Sequence, residues 1–279
     1  MKSVVRGIKA SAYLGWQVEA NWVWAPLYLF YAIIRPFALA VLLFFLFKAV
    51  VKDPSAETRF FEVYVANGFF TIISTIAHGL SWAVIMDREE YRTLGYVHTS
   101  PLGIKSYLIG RSLPFVLVGL ASMLAILLFG WLVFGLDIFG DVSWVGFACS
   151  VVAGVVVGVA LAILFVSTIL ITARHGLLLA EGISGVLLLF SGVVFPLEML
   201  PSGIREAGLM LPTTYFIEFA KRAFGPTSMS PVLSGIPDVE LWARLAVSVI
   251  LWGALAYLSL VGFLKLAVRY GKLDQPTHY

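Results

Sequence analysis

The sequence is poor in charged residues. Only 13% of its 279 residues are Asp, Glu, Lys or Arg, whereas soluble domains carry about 25%. Hydrophobic residues make up 60% of the chain, and its mean hydropathy is +0.95. A soluble fold of this length could not bury so much apolar surface in one core. The composition therefore excludes an ordinary soluble domain and predicts an integral membrane protein.

Cysteine is almost absent, and catalytic signatures are missing. The single Cys149 excludes an internal disulfide and a cysteine metal cluster. His78, His98, His175 and His278 stand at no metal-ligand spacing from a second His, Cys or carboxylate, so no metal site is predicted. No GxxxxGK[ST] phosphate-binding loop occurs, so this chain cannot hydrolyse ATP by that route. We expect no cofactor in this chain, and its net charge of +3 is too small to indicate a nucleic-acid partner.

The first 28 residues predict an interfacial helix. No cleavable signal is expected, because polar residues interrupt the first 25 positions. Apolar residues recur at every fourth position between 3 and 24, namely at Val4, Ile8, Ala12 and Trp16. An amphipathic helix with tryptophans nearby suits the headgroup boundary of a membrane. The alternative is a poorly ordered soluble tail.

Six apolar stretches follow, and each is long enough to approach the thickness of the hydrocarbon, which takes about 20 helical residues to cross. The sequence thus predicts an all-α, polytopic fold with spans at 29–50, 62–86, 106–136, 144–172, 177–196 and 241–264. The pair Arg35-Pro36 interrupts the first span, and its arginine must reach the interface, pair, or face the bundle interior.

The distribution of Lys and Arg predicts that both termini are cytoplasmic. With the N-terminus inside, the inner segments hold eleven Lys and Arg residues and the outer segments seven. The outer loop 137–143 holds none. This orientation makes 87–105 an inner loop and 197–240 the largest outer segment.

The fourth span carries a face of small side chains. They recur at every fourth position: Gly146, Ser150, Gly154, Gly158 and Ala162. Such a face lets helix backbones approach closely in lipid. The pattern leaves open whether the face packs inside the chain or against a second copy.

The 197–240 segment is half apolar and predicts two short helices, at 201–211 and 214–224. Glu218 and Arg222 are four residues apart in the second and can pair. Two half-apolar helices outside a membrane are typical of a hairpin that dips back into it.

Three groups of polar residues could carry chemistry. Asp87, Glu89 and Glu90 alternate with Arg88 and Arg92, which favours a solvated, salt-bridged loop over a carboxylate active site. His78 lies within the second span, where a buried, hydrogen-bonded histidine is favoured over a proton relay. Glu181 lies one turn into the fifth span, where structural pairing is favoured over contact with a substrate.

Two motifs resemble the permeases of type-2 ABC exporters. The first is REEYRTL at 88–94 with Ser100 and Pro101, which is similar to the inner loop of that family. The second begins at Gly192 and continues through Phe195, Pro196, Leu200 and Pro201 to Pro212, Glu218 and Arg222. An N-terminal amphipathic elbow and six spans complete the resemblance, which covers essentially the whole chain. Gly95 departs from the pattern, because many relatives carry an acidic residue there.

The resemblance implies a non-catalytic half-transporter in the cell membrane. Two permease chains would form the pathway between their first, second and fifth spans, and two separate ATPase subunits would bind ATP and Mg. The coupling role of the family's inner loop would fall on Arg88, Glu89, Glu90, Arg92, Thr93 and Leu94, and an outer re-entrant hairpin would occupy 197–240. Expected partners are therefore the ATPase, a second copy of the chain, and lipid.

Two other functions remain open: a membrane-embedded lipid-modifying enzyme and a secondary transporter. The first needs convergent polar groups at one membrane depth, and the second predicts inverted repeats; the sequence offers few of the former and none of the latter. The expected substrate is a hydrophobic drug, a lipid or a lipid-linked glycan. Aromatic residues of the first span could stack on sugars or face lipid: Phe30, Tyr31, Phe37, Phe44 and Phe45.

Overall fold

The computed structural model describes residues 2–20, 25–50, 55–101, 103–172, 176–225 and 231–273. Within these ranges the chain is helical and contains no β-strand. The helices are α1 (Lys2–Ala20), α2 (Ala25–Val50), α3 (Ser55–Glu89), α4 (Leu94–Thr99), α5 (Gly103–Leu132), α6 (Trp144–Thr172), α7 (Gly176–Phe190), α8 (Ser202–Leu209), α9 (Pro212–Arg222), α10 (Pro231–Ser234) and α11 (Asp238–Arg269). A 3₁₀ turn, Leu197–Met199, lies between α7 and α8.

Within the part of the chain that the structure describes, four helical segments are long and apolar enough to cross a membrane: Arg59–Glu89, Gly103–Leu132, Trp144–Thr172 and Asp238–Arg269. Shorter apolar stretches occur in α2, at Phe37–Leu46, and in α7, at Glu181–Phe190. The chain is thus an all-helical, multi-pass membrane protein.

The helix boundaries match some of the predicted spans and differ from others. The span predicted at 144–172 coincides with α6. The span predicted at 106–136 is too long, because α5 ends at Leu132 and Gly135 adopts a positive φ of 67°. The span predicted at 177–196 is also too long, because α7 ends at Phe190 and Gly192 has a φ of 71°. The sequence stays apolar beyond both helix ends, although the helical conformation stops there.

Helix α1 confirms the predicted N-terminal helix, but a face of small residues attaches it to the protein. Gly7, Ser11 and Gly15 are four residues apart and buried. They lie against α5, where a Cβ on Gly110 would come within 2.5 Å of the Ile8 carbonyl oxygen. Val4, Val5 and the ring of Tyr13 stay exposed on the other side. The helix ends at Ala20, and the predicted continuation to 24, with Trp22 and Trp24, lies outside the described residues.

The small face of α6 packs inside the chain. A Cβ on Gly154 would lie 2.8 Å from the ring of Phe216 in α9, and one on Gly158 would lie 3.0 Å from Ile76 in α3. Nearer the start of α6, a Cβ on Gly146 would lie 3.2 Å from that of Ala223. The alternative left open by the sequence is therefore resolved in favour of an internal contact.

The bundle has two distinguishable ends. At one end, which we call the loop end, the 87–105 loop lies beside the C-terminal ends of α6 and α11; Lys272 donates a hydrogen bond to the Ile171 carbonyl there (2.9 Å). At the opposite end, which we call the hairpin end, α9 meets the start of α6, and the Ser143 amide donates to the Ala223 carbonyl (2.9 Å). The two predicted motifs therefore lie at opposite ends of one bundle.

Candidate functional site

The base of the loop end is a buried ionic cluster. Arg111 of α5 binds both carboxylate oxygens of Asp87, which lies in the last turn of α3, through Nε (3.1 Å) and Nη2 (3.3 Å). The Tyr107 hydroxyl donates to the same carboxylate. Arg111 also donates to the Gly15 carbonyl (3.2 Å) and pairs with Glu19 (3.3 Å). Because these groups come from α1, α3 and α5, the cluster ties three helices together immediately before the loop.

The cluster contains one cation and two carboxylates, and the extra negative charge falls on Glu19. Burial raises the pKa of Glu19, and the nearby Asp87 carboxylate raises it further, whereas Arg111 opposes the shift. Protonation of Glu19 would bring the cluster to neutrality. Sequence analysis missed this site because Glu19, Asp87 and Arg111 are far apart in the chain.

Part of the predicted coupling set lies inside the protein. Arg88 is 1% exposed; it donates to the Ile169 carbonyl of α6 (3.0 Å) and to Glu89 (3.1 Å). Leu94 is also buried, and the Thr93 amide donates to the Asp87 carbonyl (2.8 Å). The coupling role that the resemblance implies for the six residues stays a prediction, and two of them, Arg88 and Leu94, are buried within the chain. Their side chains hold the loop to α6 and the core.

The loop also carries an exposed patch, which we define by Glu90, Tyr91, Arg92 and Tyr96. All four are exposed, and Tyr96 has 79% of its surface open to solvent. Of the predicted coupling set, Glu90 and Arg92 belong to this patch, whereas Glu89 and Thr93 are half-buried. Arg92 has a φ of +50°, a left-handed conformation that residues with a Cβ rarely adopt. The loop therefore offers two opposite charges and two aromatic rings to solvent on a fixed base.

The hairpin end contains the two predicted short helices. The Glu218–Arg222 pair is confirmed at 3.2 Å, and Arg222 also binds Asp238 at 2.7 Å. The two half-apolar helices predicted from the sequence are present, and they differ in burial: α9 is buried from Pro212 to Lys221, whereas α8 is largely exposed.

The predicted hairpin motif is a break followed by two helix starts. Gly192 makes the turn after α7, Pro196 precedes the 3₁₀ turn, Pro201 precedes α8 and Pro212 begins α9. Phe195 is exposed and Leu200 half-buried. The motif therefore positions α9, and its residues Gly192, Pro196 and Glu218 also line a small pocket beside Lys221.

The buried side chain of Lys221 holds the turn that follows α7. Its Nζ donates to the Gly192 carbonyl (2.9 Å), which joins the buried helix α9 to the turn after α7. Burial lowers the pKa of Lys221, although Glu218, Glu62 and Glu198 favour its charged form. The Ser191 and Thr213 hydroxyls hydrogen-bond alongside. These hydrogen bonds hold α9 and the turn at 191–198 together.

A cavity of about 560 Å³ opens between α2, α3, α5 and α7. Both polar candidates from the sequence line it: His78 and Glu181. His78 Nδ1 lies 3.4 Å from the Ser184 hydroxyl oxygen, which supports the hydrogen-bonded interpretation of this histidine. Leu39 of α2 and Phe115 of α5 complete the apolar part of the wall.

The polar wall of this cavity is one face of α3. It is formed by Asn67, Thr71, Ser74, Thr75 and His78, whose spacing of three and four residues places them on one side of a helix. Sequence analysis did not single out this stripe, because the apolar residues between its members leave α3 apolar enough to be predicted as a span.

Aromatic residues of α2 divide between packing and exposure. The ring of Phe44 stacks on Phe134 (3.7 Å between centroids), and Phe37 meets Phe129 edge to face (4.4 Å). Phe30 and Phe45 are exposed. Phe37 and Phe44 therefore take part in aromatic packing within the chain.

Among the described residues, no three His, Cys, Asp or Glu side chains are grouped so as to hold a metal ion. The features above define a multi-pass helical membrane protein with a charged loop at one end, a locked hairpin at the other and a partly polar cavity between its helices. The chain belongs to the ABC-2 family transporter proteins, whose family model matches residues 48–268. These proteins are the non-catalytic membrane components of ABC transporters, and membership implies an ABC ATPase as partner. No curated protein matches the chain.

Proposed function

We propose that this chain is the permease subunit of an ATP-driven exporter. Two copies form the pathway, and two separate ATPase subunits bind ATP and Mg at the loop end. The chain crosses the cell membrane six times, with α2 and α7 as the remaining spans and the 197–240 segment as an outer re-entrant hairpin. Its substrate is a hydrophobic drug, a lipid or a lipid-linked glycan.

The observation that carries this proposal is the exposed patch on its buried base. Glu90 and Arg92 are exposed, whereas the preceding residues Asp87 and Arg88 are buried and bonded to α5 and α6. A partner that binds the patch would thus act on several helices through one rigid connection. This arrangement supports coupling of ATP hydrolysis to movement of the bundle.

Cytoplasmic termini are supported by the positions of three elements. Helix α1, the 87–105 loop and the end of α11 share the loop end, through contacts of Arg111 with Gly15 and of Lys272 with Ile171. The excess of Lys and Arg in these segments favours the inner face of the membrane.

The cavity supports a pathway along α2, α3 and α7, the three helices expected to form it. Membership in a transporter family argues against the two alternatives, a lipid-modifying enzyme and a secondary transporter. Dimerisation is supported by the family resemblance alone, because the small face of α6 is occupied within the chain.

The test is co-purification from native membranes. A tagged chain is extracted in mild detergent, and associated proteins are identified by mass spectrometry together with ATPase rates. We expect an ABC ATPase in a two-to-two complex, and its loss in Glu90→Arg and in Arg92→Glu. A charge left without its partner in a docked interface costs about 2–5 kcal/mol, which corresponds to at least about tenfold in affinity.

The matched control is Glu240→Arg, which reverses an exposed charge at the hairpin end. This variant should retain the ATPase. If both loop reversals keep the ATPase and its rate while the protein expresses normally, the loop is a solvated connector and the proposed coupling is wrong.

A further inference from the structure

The polar stripe of α3 lies deep within the apolar part of the protein. Asn67 to His78 spans about 17 Å at 1.5 Å per residue, roughly half of the hydrocarbon thickness. The stripe occupies the middle of the candidate span Arg59–Glu89. Polar side chains at that depth mark a pathway when they face a cavity rather than lipid, and these five line the cavity of about 560 Å³.

Asn67 provides the second observation. Its side chain is 2% exposed and lines the cavity, and its Nδ2 has no hydrogen-bond acceptor among the described residues. A buried amide donor without an acceptor is unfavourable unless something occupies the site. A ligand oxygen in the cavity would satisfy it.

The next two side chains of the stripe present the opposite character. The Thr71 hydroxyl donates its proton to the Asn67 carbonyl (2.9 Å), and Ser74 donates to the Thr71 carbonyl (3.3 Å). Because each hydroxyl has used its proton on its own helix, its oxygen remains as an acceptor. The cavity wall therefore offers a donor and, one and two turns further on, acceptors.

A hydroxyl group is both donor and acceptor, so a head group with several hydroxyls matches this wall. A phosphate head would supply acceptors alone and would meet Glu181 in the same lining. It would also lose far more hydration on entry than a neutral head. The apolar remainder of the lining, which includes Phe70, Phe115 and Leu188, suits an alkyl chain.

We propose that this cavity binds a neutral amphiphile whose head carries sugar or polyol hydroxyls, with Asn67, Thr71 and Ser74 as its hydrogen-bonding wall. The proposal rests on the transport function above and narrows its substrate to hydroxylated lipids. Asn67 and Thr71 would then determine specificity for the head group.

The test is photolabelling of the full-length protein in lipid nanodiscs. Three probes share one diazirine-bearing alkyl chain and differ in their head: a glucoside, a phosphate and a trimethylammonium. Labelled peptides are mapped by mass spectrometry. We expect the glucoside to label α3 and α7 around the cavity, with competition by unlabelled alkyl glucoside.

Two substitutions examine the wall, and one serves as control. Asn67→Leu and Thr71→Val should each weaken apparent glucoside affinity about threefold to tenfold, the effect of one lost neutral hydrogen bond. Thr168→Val removes a hydroxyl with the same bond to its own helix (2.9 Å to the Leu164 carbonyl) outside the cavity, and should leave labelling unchanged. Size-exclusion profiles verify folding, and Thr71→Val carries the test if Asn67→Leu does not fold.

Equal labelling of wild type and both wall variants overturns the proposal. Stronger cavity labelling by the phosphate or trimethylammonium probe overturns it as well. Neither result affects the transporter assignment, because this assay needs no ATPase. Conversely, loss of the ATPase complex in the co-purification test would leave specific glucoside labelling intact.

Discussion

Arg111 grips Asp87 with two nitrogens, at 3.1 Å and 3.3 Å, in a site where both side chains are buried. This pair joins the last turns of α3 to the beginning of α5 immediately before the exposed loop. A buried ion pair contributes little net stability by itself, but removal of one partner leaves an uncompensated charge in an apolar site. The stability lost when one partner is removed can therefore be measured.

Substitution of Arg111 by Met should destabilise the protein by about 3–5 kcal/mol, because Asp87 and Glu19 lose their common cation. The measurement is thermal unfolding in detergent, followed by size-exclusion chromatography. Arg244→Met breaks an exposed pair with Glu240 (2.6 Å) and should cost only about 0–1 kcal/mol. Similar losses for both variants would contradict a structural role of the cluster.

Glu19 should make stability depend on pH. Burial raises its pKa in the folded protein above the ordinary value of 4.5, so the folded state binds the proton more tightly than the unfolded state. The resulting stabilisation is present at low pH and is lost as pH rises through the raised pKa. Wild type should therefore lose stability relative to Glu19→Gln as the pH rises from about 4.5 through the raised pKa of Glu19. A constant difference in melting temperature across that range would refute this.

Arg92 combines a strained backbone with an exposed charge, and two substitutions separate these effects. Arg92→Gly and Arg92→Ala remove the same charge, but only glycine adopts a φ of +50° without strain. The glycine variant should be more stable than the alanine variant by about 1 kcal/mol. Both should lose ATPase stimulation equally. If either variant kept wild-type stimulation of the ATPase, the Arg92 guanidinium would not contact the partner.

Opposite positions of the loop end and the hairpin end can be tested by labelling. In a Cys149→Ala background, single cysteines replace Thr99 in α4 and Ser202 in α8, both of which are exposed. A membrane-impermeant maleimide should label Ser202→Cys in intact cells and Thr99→Cys only in inverted vesicles. Labelling of both from one side would end the six-span topology.

The internal packing of α6 predicts opposite effects for two identical substitutions. Gly154→Ala places a Cβ 2.8 Å from the Phe216 ring, so the helices must separate or the ring must shift. Overpacking of this kind costs about 1–3 kcal/mol. Gly262→Ala in α11 meets no atom within 4 Å and should be neutral or slightly stabilising. Equal melting temperatures would indicate that α6 and α9 are not in contact.

Hydropathy and helix-stop residues were sufficient to predict much of the architecture. The span at 144–172 matches α6 because a long apolar run with no interior break has one plausible structure in lipid. The pairing of Glu218 with Arg222 followed from helical spacing alone. These features are local, so neighbouring residues suffice to determine them.

The site depended on contacts that sequence spacing does not encode. Burial of Arg88 requires the Ile169 carbonyl, which lies 81 positions away. The burial of α9 on every side arises from three neighbouring helices, whereas its sequence alone indicates an amphipathic helix. Similarly, the stripe from Asn67 to His78 indicates a binding site only because α7 lies across a cavity from it, and this arrangement cannot be predicted from the spacing of the residues.

The side-chain bonds at the loop end join the 87–105 loop to particular helices. Arg88 connects the 87–105 loop to the end of α6, and Arg111 connects its base to α1 and α5. A push on the loop therefore carries these helices along as one stiff body. Helix α7 has no part in these bonds, yet it supplies Glu181 and Ser184 to the far wall of the cavity. Displacement of these joined helices relative to α7 would change the width of the cavity. Movement of the 87–105 loop would thus be transmitted to the substrate pathway.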